Sequence, residues 1–359
     1  MTKRIPRATS ALLFLLLTLL LAACGQAGAA PNASSADQPA SNEGGEVTLT
    51  LGAYTTPREA YGEIIPLFQE HWQEQTGQTV RFEESYLGSG AQSRAVVEGF
   101  EADIVALSLE ADVNRITEAG LITHDWKATE HDGMVSDSVV VMLVREGNPK
   151  GIEDWADLAQ PGVEILTPDP QSSGGAQWNV MAMYGAALRG HVEGYDASEE
   201  GAREFLKAVF SNVTALDKSA RDSITNYERG VGDVAITYEN EAIVGRQNGQ
   251  TYEYVIPQST ILIENPVAVV DSYVDKHGTR EVAEAFRDFL WTPEAQRIFA
   301  EYGLRSVDPA IAEETAEQYP PVADQFTIQE FGGWGNVTQP FFGPDGIYTQ
   351  LIEEVQAEQ

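Results

Sequence analysis

Strands and helices alternate along the chain from Glu46 onward, and this alternation constrains the fold more than any other feature of the sequence. Short apolar runs typical of strands are followed by stretches with helical periodicity. Strands separated by helices usually pair in parallel. The sequence therefore predicts an α/β fold with parallel sheets. The first predicted elements are strands at 47–53, 80–85 and 104–107, and helices at 57–75, 89–100 and 111–120.

Two extended passages divide this pattern into two lobes. A continuous apolar strand at 139–145 leads out of the first group of elements, and the runs at 254–263 and 267–271 lead back to it. The chain after Glu46 is longer than one hydrophobic core usually organises. We therefore expect two α/β lobes with a cleft and a hinge of two extended crossovers. The expected lobe 1 comprises residues 46–142 and 258–359, and lobe 2 comprises residues 143–257.

The first 24 residues have the layout of an export signal. Basic residues precede an apolar run at 11–21, and small residues then lead to Cys24, the only cysteine in the chain. This ending resembles the lipobox of bacterial lipoproteins, which implies cleavage before Cys24 and attachment of lipid to it. A non-lipidated export signal is the alternative. Residues 25–45 are rich in small and polar residues and predict a flexible tether. We expect an exported protein, lipid-anchored on the outer face of the cytoplasmic membrane or in the periplasm.

The net charge of −33, from 22 basic and 55 acidic residues, argues against nucleic acid as a partner. It also constrains any anionic ligand. A dianion approaching this surface feels net repulsion, so an anion site must depend on short-range hydrogen bonds and helix ends. The acidic residues themselves are typical of a solvated surface.

Residues 171–179 predict a helix that begins with exposed backbone rather than with charged side chains. Ser173 is placed near the N-cap, and Gly174 and Gly175 follow it in the first turn. The first turn of a helix has amides without partners and a partial positive charge, and glycine lets a ligand approach the backbone closely. An ordinary serine-capped helix is the alternative.

Three other predicted helix starts follow strands in the same way. Thr55 comes after the first strand, Ser89 lies in the sequence Gly-Ser-Gly at the start of the second helix, and Ala220 opens a helix after a strand at 214–216. Open α/β sheets bind ligands at the carboxyl ends of their strands. We therefore expect these helix starts to converge on the cleft and to bind an anion.

With these segments in place, residues 47–346 resemble the sulfate-binding proteins of ATP-driven importers. The similarity rests on several motifs, which are Tyr-Thr-Thr-Pro-Arg-Glu-Ala-Tyr at 54–61, Gly-Ser-Gly at 88–90, Gly-Asn-Pro-Lys at 147–150, Ser-Gly-Gly-Ala at 173–176, Trp-Asn at 178–179, Glu-Arg-Gly at 228–230, Gly-Asp-Val at 232–234 and Glu-Asn-Glu at 239–241. The resemblance implies a two-lobed fold of the type II periplasmic-binding-protein kind. It further implies a monomer that delivers sulfate to the permease of an ATP-binding-cassette importer, without a cofactor or metal.

The resemblance also assigns roles to single residues. It implies hydroxyl donors at Ser89 and Ser173, and backbone N–H donors at the residues Thr55, Gly174, Gly175 and Ala220. Tyr238 stands where the family has a tryptophan that donates to sulfate. A phenol can accept as well as donate a hydrogen bond, so thiosulfate and other tetrahedral oxyanions stay open as ligands. Arg221 has two interpretations, as a residue behind the site that polarises it or as a member of a structural ion pair.

Two other classes of protein compete with this interpretation. A secreted serine hydrolase would use Ser89 or Ser173 as its nucleophile, but the five histidines lie in no triad-like context and the glycine of a nucleophile elbow is missing. No motif indicates a metal site. A sensory or adhesive surface lipoprotein stays open, because no residue pattern excludes it.

Overall fold

The computed structural model describes residues 45–358. The expected export signal, Cys24 and almost all of the tether therefore lie outside the described residues. The strands are β1 (Glu46–Tyr54), β2 (Thr79–Leu87), β3 (Ile104–Ala106), β4 (Met134–Val144), β5 (Ile165–Pro168), β6 (Val213–Asp217), β7 (Val234–Tyr238), β8 (Glu253–Val255), β9 (Ser259–Val269) and β10 (Asp324–Phe326).

The helices follow the strands as the alternating pattern predicts. They are α1 (Arg58–Thr76), α2 (Ser89–Val97), α3 (Glu110–Glu118), α4 (Gly174–Leu188), α5 (Glu199–Ser211), α6 (Ala220–Glu228), α7 (Glu239–Gln247), α8 (Asp271–His277), α9 (Arg280–Phe289), α10 (Pro293–Glu301), α11 (Pro309–Thr315), α12 (Trp334–Phe342) and α13 (Ile347–Glu358). Within residues 45–358, no helix combines the length and the apolar character that a membrane crossing requires.

The strands pair in the order β2-β1-β3-β9-β4-β7-β5-β6, and β10 and β8 add to β9 and β4. β1 is parallel to β2 and β3, and β5 is parallel to β6 and β7. Helices join these strands, so the parallel pairing follows from the strand–helix alternation. The α/β prediction with parallel sheets therefore agrees with the structure at both ends of the strand order.

Two long antiparallel strands, β4 and β9, join the two parallel groups. Residues 134–139 of β4 pair with β9, and residues 140–144 pair with β7. β9 in turn pairs with β3 through residues 267–269. These strands are the two extended passages expected from the sequence. β4 begins at Met134, five residues before the predicted start at Val139. The sequence pattern missed this first half because the buried polar residues Ser136 and Ser138 interrupt the apolar run.

The C-terminal helix packs differently from our expectation that it lies on lobe 1. α13 contacts α5, and the rings of Tyr348 and Phe210 meet edge to face at 5.3 Å. Tyr348, Leu351 and Val355 form its buried stripe. Their spacing predicts a helix with one apolar face, but it does not say which core receives that face. α13 therefore packs on α5, which the sequence places in the expected lobe 2, and the lobe boundaries stay predictions.

Candidate functional site

The helix α4 begins with backbone amides and one serine, as the sequence predicts. Ser173 is its N-cap residue, and its Oγ accepts from the N–H of Ala176 at 3.4 Å. Ser173 is 3% exposed, and residues 174–187 are buried. The N–H of Ser173 itself donates to the carbonyl of Asp169 at 2.8 Å. The helix therefore presents the hydroxyl of Ser173 and the amides of its first two glycines.

Several of the expected site residues meet at the first turn of α4. A Cβ atom built on Gly175 would lie 3.3 Å from Cε1 of Tyr238, 3.5 Å from Oγ of Ser173 and 3.8 Å from Cβ of Ala220. A Cβ on Gly174 would lie 2.8 Å from Leu109. Residues from α4, α6 and β7 thus surround one point, and glycine is required at position 174 because any side chain would collide with its neighbours.

The backbone amides of Thr55, Ser89, Gly174, Gly175 and Ala220 lie at or just before helix starts, and none of the five has an acceptor within hydrogen-bonding distance among residues 45–358. Ser89 and Ala220 are the first residues of α2 and α6, and Thr55 follows β1 directly. The first N–H groups of a helix have no intrahelical partner and add to the positive end of its dipole. These amides are the same ones that the resemblance assigns, apart from Ser89, for which it assigns the hydroxyl.

The hydroxyl of Ser89 does not play the role that the resemblance implies. Its Oγ donates to Oδ2 of Asp112 at 2.6 Å and accepts from the N–H of Ser108 at 2.9 Å. Arg115 holds the other carboxylate oxygen of Asp112 at 2.6 Å. A serine hydroxyl has one proton. Because that proton is given to Asp112, Ser89 can offer its backbone N–H to a ligand but not its hydroxyl.

Sequence reasoning missed Ser108 and Asp112. Ser108 lies two residues after β3 and is fully buried, and its Oγ lies 2.6 Å from the hydroxyl of Tyr238. The rule that ligands bind at the carboxyl ends of strands, which drew attention to the residues after β1, β2 and β6, also applies to β3 and would have identified Ser108.

Arg221 takes part in an ion pair that crosses the cleft. Its guanidinium donates to Glu59 through NH1 and NH2, the latter at 2.9 Å, and its Nε lies 3.1 Å from Glu241. Burial alone would lower the pKa of Arg221, but the carboxylates of Glu241 and Glu59 outweigh burial and raise it. The structure therefore supports the ion-pair interpretation of Arg221, because its NH1 and NH2 groups pair with Glu59 and its Nε pairs with Glu241.

The segments that follow β2, β5 and β6 touch beside the expected cleft. The N–H of Ala91 in α2 donates to the carbonyl of Ser172 at 3.1 Å. A Cβ on Gly88 would lie 2.6 Å from that carbonyl oxygen and 2.7 Å from that of Lys218. Beside this contact is a cavity of about 620 Å³, lined on one side by Thr55, Arg58, Glu59, Tyr86, Leu87, Gly88 and Ala91, and on the other by Ser172, Lys218, Ser219, Arg221 and Asp222.

The described residues offer no group of three or more histidine, cysteine, aspartate or glutamate side chains placed to hold a metal ion. The histidines that form close pairs with acids lie elsewhere. His124 pairs with Asp271, and His277 pairs with Asp103. Neither Ser89 nor Ser173 has a histidine partner among its hydrogen bonds within residues 45–358. Within residues 45–358, neither serine therefore has the histidine base of a Ser-His-Asp triad.

Comparisons with known proteins agree with this geometry. The family described as bacterial extracellular solute-binding protein matches residues 49–305. The chain is 44% identical over 342 residues to the sulfate-binding protein of Synechococcus elongatus, covering 94% of this chain and 93% of that one. It is 33% identical over 305 residues to the thiosulfate-binding protein of Pseudomonas aeruginosa, covering 83% and 90%. The solved structure of the sulfate-binding protein SubI from Mycobacterium tuberculosis superimposes with a TM-score of 0.76 at 38% identity, covering 82% of this chain and 99% of that one.

Two lobes joined by extended strands, with amide-lined helix starts between them, define a binding protein of the periplasmic type. The chain belongs to the family of bacterial extracellular solute-binding proteins and groups within it with the sulfate-binding proteins. The predicted fold class and family are therefore confirmed. Membership of a family of solute-binding proteins also argues against the serine hydrolase alternative.

Proposed function

We propose that this protein captures sulfate in the cleft and delivers it to the permease of an ATP-binding-cassette importer. The observation that carries the proposal is the meeting of Ser173, Gly175, Ala220 and Tyr238 at the first turn of α4, where the amides of Gly174, Gly175 and Ala220 have no acceptor among residues 45–358. The names of the similar proteins support sulfate as the ligand. Export of the chain fits the same role, and Cys24 supplies its lipid anchor. The protein works as a monomer that closes on one anion.

Neutral donors are sufficient to hold a dianion in such a site. Each hydrogen bond to a charged group is worth roughly 1.5–3 kcal/mol, and the buried setting strengthens it. Three of the donor helices, α2, α4 and α6, also direct the positive ends of their dipoles at the same region. Because these donors come from both lobes, the anion is fully enclosed only when the lobes are closed, and binding shifts the population toward the closed form.

Thiosulfate is the second candidate ligand, because a thiosulfate-binding protein is among the relatives. Phosphate is expected to bind more weakly than sulfate because it is protonated. At neutral pH phosphate keeps a proton, and a buried site that offers only donors leaves that proton without an acceptor, at a cost of about 1–3 kcal/mol.

A titration panel tests the proposed function. The soluble body from Glu46 onward is titrated by calorimetry with sulfate, thiosulfate, molybdate, tungstate and phosphate. We expect sulfate to bind most tightly and phosphate at least about 10-fold more weakly, since the proton of phosphate finds no partner. Binding of none of these oxyanions, or a preference for phosphate, would contradict the proposal.

The affinity for sulfate is expected to be independent of pH between mildly acidic and mildly basic solution. The donors of the site are amides and hydroxyls, which do not titrate there. Burial raises the pKa of Tyr238 well above its ordinary value, so its hydroxyl keeps its proton as the pH rises. Calorimetry of sulfate binding across this range, at constant ionic strength, provides the measurement. A loss of affinity by more than a few-fold would indicate a titrating side chain in contact with the ligand.

A further inference from the structure

Tyr238 poses a specific problem for a site that selects an unprotonated anion. Its phenol could accept a hydrogen bond from a protonated oxyanion as readily as it could donate one. Tyr238 is the last residue of β7 and is 1% exposed, and its ring lies against the first turn of α4 at Gly175. The groups around the phenol oxygen therefore decide whether it donates or accepts.

The phenol oxygen lies against a second hydroxyl. Oγ of Ser108 lies 2.6 Å away, and it is the one hydrogen-bonding partner of Tyr238 that the geometry gives within residues 45–358. Burial is the main reason that the pKa of Tyr238 is raised, and the hydrogen bond with Ser108 opposes this rise. Either hydroxyl can donate in this contact, and if Ser108 donates, its proton fills the accepting side of the phenol oxygen.

The position of Ser108 is fixed through its backbone. Its N–H donates to Ser89 at 2.9 Å, and its carbonyl accepts from the indole of Trp178 at 2.8 Å and from Asn265 at 3.3 Å. Ser108 follows β3, whereas Trp178 and Tyr238 belong to α4 and β7. The contact between the two hydroxyls therefore forms where the two lobes meet.

The hydroxyls of Ser108 and Tyr238 carry two protons, and the hydrogen bond between them uses only one. Among residues 45–358, neither Ser108 Oγ nor the Tyr238 hydroxyl has a further acceptor. If Ser108 donates to Tyr238, the free proton is that of the phenol, beside Gly175. If the direction is reversed, the free proton belongs to Ser108, whose Oγ lies 2.9 Å from a Cβ built on Gly174. In both cases the free proton lies at the first turn of α4, where an acceptor must receive it.

We propose that Ser108 is a positioning residue that donates to Tyr238 and so makes it a donor-only group, and that the pair therefore accepts sulfate and rejects protonated oxyanions. The serine occupies the accepting side of the phenol, and Tyr238 then presents only a proton, as an indole would. This inference rests on the proposed function. The inference also explains why a tyrosine at position 238 does not reduce the selectivity for sulfate over protonated oxyanions.

Removing the serine hydroxyl tests the proposal. In Ser108→Ala the phenol oxygen can accept from a protonated oxyanion, while its own proton turns into the space that the hydroxyl leaves. We expect the ratio of sulfate to phosphate affinity, measured by calorimetry, to fall about 10-fold, because phosphate then finds an acceptor. The phosphate affinity of this variant should also depend on pH, since only a protonated form benefits.

Two further variants separate this role from a structural one. In Ser108→Ala combined with Tyr238→Trp, the indole has no accepting side, so the ratio is expected to return to the wild-type value. Ser306→Ala removes another buried hydroxyl, which donates to Gln296 at 2.7 Å, and should leave the ratio unchanged.

If Ser108→Ala keeps the wild-type ratio of sulfate to phosphate affinity, the inference is overturned. Sulfate binding by the wild type would still uphold the proposed function. The inference would also be overturned if Tyr238→Phe kept full sulfate affinity and Ser108→Ala lost sulfate affinity. Ser108 would then be the direct donor to sulfate. A wild-type protein that binds no sulfate would remove the proposed function and this inference together.

Discussion

Gly88→Ala is expected to lower the affinity for sulfate about 100-fold without unfolding the protein. The added Cβ would lie 2.6 Å from the carbonyl oxygen of Ser172 and 2.7 Å from that of Lys218, and both atoms belong to the backbone of the opposite lobe. Closure therefore stops short, and the amides of Thr55 and Ser89 are held away from the anion. Losing two hydrogen bonds to a charged ligand at roughly 1.5–3 kcal/mol each accounts for at least this change.

Calorimetry and small-angle scattering measure this prediction. The backbone of Gly88 has φ −57° and ψ 139°, which any residue can adopt, so the lobes should fold normally when they are apart. Sulfate should reduce the radius of gyration of the wild type but scarcely change that of the variant. Gly62→Ala is the matched control, because a Cβ there meets no atom within 4 Å. Equal affinity of the Gly88 variant and the wild type would mean that closure does not complete the site.

Ser173→Ala is expected to weaken sulfate binding by ~1.5–3 kcal/mol, or roughly 10–150-fold. Its hydroxyl is the side-chain donor at the first turn of α4, where the amides of Gly174 and Gly175 also lie. Alanine removes that donor and keeps the backbone in place. The hydrogen bond from Ala176 to Ser173 is long, at 3.4 Å, so the loss of the helix cap should reduce the free energy of unfolding by no more than about 1 kcal/mol.

Ser198→Ala separates these two effects. Ser198 caps α5 and accepts from the N–H of Gly201 at 3.1 Å. Its replacement should cost a similar amount of stability and leave sulfate binding unchanged. Calorimetry and thermal unfolding of both variants provide the comparison. If Ser173→Ala binds sulfate as the wild type does, the hydroxyl is not a ligand, and the site depends on amides alone.

The sequence predicts those features of the fold and site that depend on neighbouring residues. Ser173 and its two glycines indicate a helix start, because capping and glycine freedom act within one turn. The parallel pairing of β1 with β2 and of β5 with β6 follows from the helices that join them. The same local argument places Thr55 and Ala220 at the ends of strands.

Features that depend on distant contacts could not be predicted in this way. The stripe of Tyr348, Leu351 and Val355 predicts a helix face but not its contact with α5. The hydroxyl of Ser89 is engaged because Asp112 lies opposite it, 23 residues later in the chain. Ser108 meets Tyr238 only because β3 and β7 end at the same cleft, 130 residues apart in sequence.

A crystal structure of the sulfate complex tests the central claim most directly. We predict sulfate oxygens at about 2.7–3.1 Å from the amides of Gly174, Gly175 and Ala220 and from the hydroxyl of Ser173, with amides of the opposite lobe completing the shell. Arg221 should remain on Glu59 and Glu241. A lysine or arginine head group, or a metal ion, bound to the sulfate oxygens would contradict the account.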